Sequence, residues 1–289
     1  MQKRRLRMEL RKAREAAGLK QGDVAKAMDW SSSKLIRIEG GQVSISTNDL
    51  RALLSYYNVK DTRRVAALLD LARSSRGSSF YDAYASFLKP GFRDYLAYEG
   101  TASVIRQYDP VLISGLLQTE EYARTILEHA FGLDGDGVAK RWAVREHRQD
   151  AVHDREDSPE MIFVVDEAAI RRQVGRSERT MVRQLERLKE YAAEPHITIR
   201  VLPFSAGAHP GMAGNFILLE FTEADLDDLV HLESIDDITI KDDAELIARY
   251  LDRFERLEEL SLSPQDSLVF LDKVIAEMSS EGGEPTRAG

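Results

Sequence analysis

Between positions 20 and 37 the sequence gathers side chains suited to gripping a polyanion and reading its edges. They are Lys20, Gln21, the run Ser31, Ser32 and Ser33, then Lys34 and Arg37. A serine hydroxyl donates to or accepts from several base edges, and an arginine pairs bidentately with guanine. A glutamine at the start of a helix can hold a phosphate through its side chain and the helix-end N–H groups. Upstream, Lys3, Arg4, Arg5, Arg7 and Arg11 add an attraction that carries no sequence information and fades with salt. The chemistry implied is recognition of double-stranded nucleic acid rather than bond making.

Such side chains need a scaffold, and the flanking pattern supplies one. Leu6, Leu10, Ala13 and Ala17 fall on one face of a helix over 4–17, and Gly18 stands where a helix ends. A second helix is predicted over 21–28 with Val24, Ala25 and Met28 inward. Asp29, Trp30 and Ser31 make a tight turn, because Asp tolerates the left-handed conformation. Ser31 is a natural N-cap for a third helix over 32–39, which Leu35 and Ile38 anchor and Gly40 and Gly41 stop. Helices over 47–57 (Leu50, Leu53, Leu54 inward) and 61–73 (Val65, Leu68, Leu69, Ala72 inward) complete a five-helix bundle. Two short helices joined by a turn of about three residues are the helix-turn-helix arrangement, whose second helix presents polar residues to the major groove. Ser32, Ser33 and Arg37 then face outward, with Lys34 on the flank. Ile36 also falls outward, where a thymine methyl or the edge of the domain would receive it.

Ser74–Ser79 has the composition of a flexible linker, and the character of the chain changes after it. Residues 80–98 are rich in aromatics, suited to packing against the second domain or a partner. Helices are predicted over 93–107, 119–131 and 138–154, the last following a loop at 132–137. Strands are predicted over 161–166, 196–202, 215–221, 229–233 and 238–241, with a helix over 178–193 between the first two. Helices over 243–260 and 264–278 close the domain. The expected organisation is multidomain. An all-α five-helix helix-turn-helix domain (1–73) and a linker (74–79) precede an α+β domain with a small sheet (80–278) and a disordered tail (279–289).

Charge divides along the same line. Residues 1–76 hold 17 Lys and Arg against 8 Asp and Glu, a balance of +9; the remainder holds 23 against 41, a balance of −18. The basic part can meet polyphosphate, from which the acidic part is repelled. The 289 residues include no cysteine, which excludes disulfides, thiolate metal sites and a cysteine nucleophile. No apolar stretch approaches the ~18 residues of a membrane span, and no apolar segment follows the basic N-terminus, so a cytoplasmic protein is expected.

The remaining candidates for chemistry are weaker. His129, His147, His153, His196, His209 and His231 are scattered, and the sequence holds no HExxH, GxSxG, phosphate-loop or dinucleotide-binding pattern. Asp134–Gly137 resembles the start of a calcium loop, but Val138 takes the third ligand place and Arg145 the closing glutamate. Paired acids such as Asp227 and Asp228 form a solvated face. The expectation is a protein with no catalytic residue, metal or cofactor. The glycine-rich loop 203–214 is the best candidate for a ligand or partner contact, through Phe204, His209, Pro210 and Gly211, since small residues allow close approach.

The stretch from Leu10 to Gln42 resembles the Cro/repressor-like, xenobiotic-response-element family of helix-turn-helix regulators. The likeness rests on Leu10, Arg14, Ala17, Gly18, Leu19, Gln21, Val24, Ala25, Ser31–Ser33, Ile38, Glu39 and Gly41. The resemblance implies operator binding as a homodimer, with base reading by Ser32, Ser33 and Arg37 and a phosphate held by Gln21. Asp29 replaces the turn glycine of that family and Ile36 a commonly polar place, so the operator cannot be read off. Residues 98–131 and 196–221, with GLLQT and VLPFSAGAHPG, are similar to a domain of unknown function that follows such units in regulators of filamentous high-GC soil bacteria. Genes for a small acidic protein often neighbour that family, which implies a partner. The expected function is therefore a dimeric transcriptional regulator whose second domain dimerises, senses or binds a partner. The alternative is an antitoxin-like interaction module that neutralises, or is controlled by, that small protein.

Overall fold

The computed structural model describes residues 2–30, 32–39, 45–74, 81, 84, 87–88, 91–155, 157–175, 178–222, 227–233 and 238–281. The chain divides into two compact units, Met1–Ala83 and Tyr84–Gly289.

The first unit is all helix: α1 (Gln2–Ala16), α2 (Gln21–Ala27), α3 (Ser32–Glu39), α4 (Thr47–Tyr56) and α5 (Thr62–Ser74). The apolar stripes read from the sequence meet in one core of Leu6, Leu10, Ala13, Val24, Ala25, Leu35, Ile38, Leu50, Leu53, Leu54, Leu68, Leu69 and Ala72. Gly18 ends α1 at φ +69° with open space around it, so conformation rather than room selects glycine there. The chain turns away before Ala17 can reach the core, and Ala17, expected inward, is exposed. Val65 and Met28 are half-buried against the core rather than inside it. Asp29 takes φ +54°, as its place in the turn requires. Ser46 caps α4, its hydroxyl accepting from the Asp49 N–H at 2.9 Å. Helix α5 runs on through Ser74, the first residue of the expected linker, and residues 75–79 lie outside the described residues. The expected helix stop at Gly40 and Gly41 lies outside them too.

The second unit runs α6 (Phe92–Glu99), β1 (Val104–Asp109), α7 (Glu120–His129), α8 (Gly135–His153), β2 (Glu160–Asp166), α9 (Glu167–Arg171), α10 (Glu178–Ala192) and β3 (Ile197–Leu202). It continues through β4 (Phe216–Glu220), β5 (Leu229–Glu233), β6 (Ile238–Lys241), α11 (Ala244–Leu260) and α12 (Pro264–Glu281). The strands form one sheet in the order β3-β2-β1-β4-β5-β6. β1, β2 and β3 are mutually parallel and the other pairs antiparallel. Tyr108 sits opposite Val164 and Phe216 on the face that also carries Leu218 and Val230 and packs on Ile247, Phe254 and Leu257 of α11. Gln107, Ile217 and His231 share the opposite face.

Three expectations need correction. The helix expected over 93–107 is two elements. Gly100 and Thr101 end α6, and Val104–Asp109 is a central strand whose β-branched residues pair on both sides. The short helix α9 was not expected. It starts because Asp166 accepts the Ala168 N–H at 2.8 Å as the chain leaves β2. Residues 279–281, expected in a disordered tail, continue α12, and 282–289 lie outside the described residues. The calcium-like start at Asp134 is a helix cap, its carboxylate accepting from the Gly137 N–H at 2.8 Å.

The GLLQT segment is a belt of backbone acceptors. The Leu116 carbonyl meets His153 Nε2 at 3.0 Å, and the Leu117 carbonyl accepts from Gln184 Nε2 at 2.8 Å. Gln149 Nε2 donates to the carbonyls of Gly115 and Gln118 at 2.8 and 2.9 Å. Gln184 Oε1 in turn accepts from the Thr119 N–H at 2.8 Å, where Thr119 caps α7. The segment thereby ties α7, α8 and α10 together.

Candidate nucleic-acid interface

Helix α3 is fixed at its C-terminal end by one buried carboxylate. Glu39 Oε1 and Oε2 accept from Arg14 Nε at 2.8 and 3.1 Å, and Oε2 accepts from Gln21 Nε2 at 2.8 Å. The Tyr57 hydroxyl donates to Oε1 at 3.3 Å. Arg14 also donates through Nη1 to the Leu19 carbonyl at 2.9 Å, so the loop after α1 is held by the same side chain. Burial alone would lower the Arg14 pKa, but the hydrogen bond and charge of Glu39 outweigh it and raise it. Burial, reinforced by the Glu39 charge, pushes the Tyr57 hydroxyl well above its usual range. A carboxylate taken out of water needs such partners, and satisfying it fixes α3 against α1, α2 and the end of α4.

The N-terminal end of α3 has a second set of contacts. The Lys34 ammonium lies 4.1 Å from the centroid of the Trp30 ring and 3.4 Å from Asp49 Oδ2 in the first turn of α4.

The expected contact residues divide as follows. Ser32, Ser33 and Arg37 lie on α3, and Ser31 lies outside the described residues. Gln21 opens α2 with its amide nitrogen turned to Glu39. Lys20 is the exposed N-cap of α2 and makes no side-chain capping bond. Arg7, expected among the outward cations, is buried in the first unit, and Arg11 pairs with Glu15 at 3.1 Å. Sequence reasoning assigned no role to Arg14, Glu39 or Tyr57. The signal was there: Arg14 continues the Leu6–Leu10 stripe at i+4, and Glu39 stands at i+4 from Leu35. A cation and an anion each on an apolar stripe is the pattern of a buried pair.

In the second unit the loop 203–214 closes over the carboxyl end of β1 and β2. His209 is turned inward, its Nε2 3.7 Å from Asp166 Oδ2 and its ring edge-on to Tyr108. The Tyr108 hydroxyl donates to the same Asp166 oxygen at 3.5 Å, and burial raises its pKa, with Asp166 adding to the effect. A Cβ on Gly211 would stand 2.4 Å from the Tyr108 ring, so only glycine fits. Pro210 is half-buried, whereas Phe204 faces solvent and its N–H donates to Glu167 Oε2 at 2.8 Å.

A separate buried polar cluster lies on the other face of the sheet. Arg148 donates through Nε and Nη2 to both oxygens of Glu99 at 2.6 Å, and the Tyr95 hydroxyl donates to Glu99. The Tyr95 ring packs 4.1 Å from that of His231. Burial pushes Asp109 up to about 7, against the pull of Gln107 and Arg148. Burial lowers His231 to about 4, and the Arg148 charge adds to that.

A model of a helix-turn-helix domain matches residues 5–68. A model described as a domain of unknown function, DUF5753, matches residues 92–273. The chain belongs to the DUF5753 family. It has no match among curated proteins or solved structures. In this family member the helix-turn-helix match covers most of α1, all of α2 to α4 and the first half of α5 and points to a DNA-binding regulator rather than an enzyme. Among the described residues no helix is long and apolar enough to cross a membrane.

Proposed function

We propose that this protein is a cytoplasmic, sequence-specific transcriptional regulator that binds a near-palindromic operator as a homodimer. The observation that carries this reading is the Glu39 hub, which holds α3 rigidly on α1 and α2 within a helix-turn-helix match. A short helix reads bases only if its angle to the domain is fixed, because readout depends on where three or four side chains meet the groove. The +9 balance of residues 1–76 supports attraction to phosphate. Ser31, Ser32, Ser33 and Arg37 read base edges, and Lys20 and Gln21 approach the backbone. Two copies reading half-sites about one helical turn apart supply the contacts that one small module lacks. The second domain serves dimerisation, sensing or binding of a small partner protein. Phe204 and Met212, both exposed on the 203–214 loop, support a partner contact there.

The test is fluorescence anisotropy with DNA from upstream of the gene against scrambled DNA over a salt series. Preference for the upstream duplex, lost in Arg37→Ala, is the expected result. Equal binding of both duplexes at every salt concentration overturns the reading.

A further inference from the structure

We infer that Lys34 is a positioning residue for α3 and not one of its contacts to DNA. By residue type and place Lys34 is a natural phosphate contact, and the structure gives its ammonium other work. The group lies 4.1 Å from the Trp30 ring centroid, within the range at which the ring face attracts a cation, and 3.4 Å from Asp49 Oδ2. The three residues come from three elements. Trp30 belongs to the turn before α3, packs against the core of the unit and has its N–H held by the Ala25 carbonyl at 2.8 Å. Asp49 lies in the first turn of α4, its own N–H held by Ser46. Both anchors are therefore fixed before Lys34 reaches them, and Lys34 fastens the first turn of α3 to the preceding turn and to α4. The Glu39 hub fastens the other end. Fixing a short helix at one end leaves its pitch free, whereas fixing both ends defines it. An ammonium committed to a ring face and a carboxylate also releases few counterions from a phosphate. Its loss then changes how well α3 is aimed rather than how many phosphates are neutralised.

This inference rests on the operator-binding reading, and the experiment separates the two. Anisotropy is measured for wild type, Lys34→Met, Lys34→Arg and Asp49→Asn against the upstream and scrambled duplexes over a salt series, with urea unfolding alongside. A positioning role lowers the preference for the upstream duplex about 3- to 10-fold in Lys34→Met, a size set by two partly exposed contacts. It leaves the slope of log K against log salt unchanged. Lys34→Arg restores the preference, because arginine also stacks on the ring. Asp49→Asn lowers the preference as well. A phosphate contact would instead weaken both duplexes equally and reduce the slope by about 0.9, which overturns the inference. A fall in unfolding midpoint with unchanged preference overturns it too, since that is a role in stability alone.

A DNA-free arm uses the two tryptophans, Trp30 and Trp142. In a Trp142→Phe chain the emission of Trp30 shifts on Lys34→Met if the ammonium sits on its ring. No shift overturns the inference. If wild type binds neither duplex with preference, the operator reading fails while the Trp30 arm still decides the clamp.

Discussion

The Nε–H of Arg14 bridges both carboxylate oxygens of Glu39, at 2.8 and 3.1 Å, across 25 residues of sequence. The pair joins the last turn of α1 to the last residue of α3, and both side chains are more than nine-tenths buried. A buried pair of this kind contributes little net stability, because desolvation offsets the attraction. Its effect is geometric: any other placement of α3 would leave a charge stranded in the core.

Removing one partner should therefore be costly. Glu39→Ala strands the Arg14 guanidinium and the Gln21 amide and should lower the stability of the first unit by about 3–5 kcal/mol. Urea unfolding followed by Trp30 emission in a Trp142→Phe chain measures it. Arg14→Met with Glu39→Leu removes both charges and should recover most of that loss. The double variant should still bind DNA with reduced preference for the upstream duplex. Full preference in the double variant would show that the hub does not aim α3.

In the second unit, Gly211→Ala drives a methyl into the Tyr108 ring, which is itself packed against Phe216 and unable to retreat. The expected loss is about 1–3 kcal/mol, the range for overpacking a close-packed site. Gly207→Ala meets open space but needs φ +67° with ψ −138°, outside the left-handed helical well, costing about 1–3 kcal/mol through backbone strain. Thermal unfolding compares them. Only Gly211→Ala should perturb the His209 resonances, since only that change displaces the ring His209 rests on. Unchanged His209 signals in Gly211→Ala would contradict the packing described.

Much of the scaffold was legible because its signals are local. Each apolar stripe in α1 to α5 has helical period, and Gly18 and Asp29 occupy positions where φ must be positive. β2, β4 and β5 announced themselves as short apolar runs, and β3 by its alternating β-branched residues. β1 did not: Val104–Asp109 follows an aromatic helix and holds Arg106, Gln107 and Asp109 among its apolar residues. Arg106 is explained only by a partner far along the chain, Glu220 at 2.5 Å, while Gln107 is held by Ser114 at 2.8 Å in the following loop and itself donates to Asp109. The same holds for the site. Residue types pointed to α3 as a reading helix, whereas the Glu39 hub and the Trp30–Lys34–Asp49 contacts depend on which helices meet in space. His209 stood out as a loop residue, but its inward turn toward Asp166 required knowing that the loop folds back over β2.

The GLLQT belt makes Gln184 a structural keystone. It is fully buried, its amide nitrogen donates to Leu117 and its oxygen accepts from Thr119. Gln184→Leu keeps the volume but leaves both backbone groups unpaired, at about 1–3 kcal/mol each. Hydrogen exchange should show the Thr119 amide losing protection together with the first turn of α7. Retained protection at Thr119 would mean that the cap holds without Gln184.

The buried imidazole of His231 gives a pH prediction with a definite sign. Its pKa falls from 6.5 to about 4 on folding, so the unfolded chain binds a proton there that the folded chain refuses. The stability tied to its neutral form is fully present above about pH 6.5 and is lost as pH falls toward 4. Integrated over that window the loss approaches about 3 kcal/mol. Asp109 works the other way. Burial lifts it from 3.8 to about 7, so the folded chain keeps a proton that the unfolded chain releases, and stability falls as pH rises between those values. The two effects oppose each other in the wild type and mask one another near pH 5. His231→Phe keeps a ring against Tyr95 and removes only the first of them. Urea unfolding from pH 7 to pH 4 should therefore show His231→Phe gaining on wild type by about 3 kcal/mol as pH falls, with Asp109 cancelling from the comparison. A difference between the two chains that stays constant with pH would mean that folding leaves the His231 pKa unchanged and the ring is not buried as described.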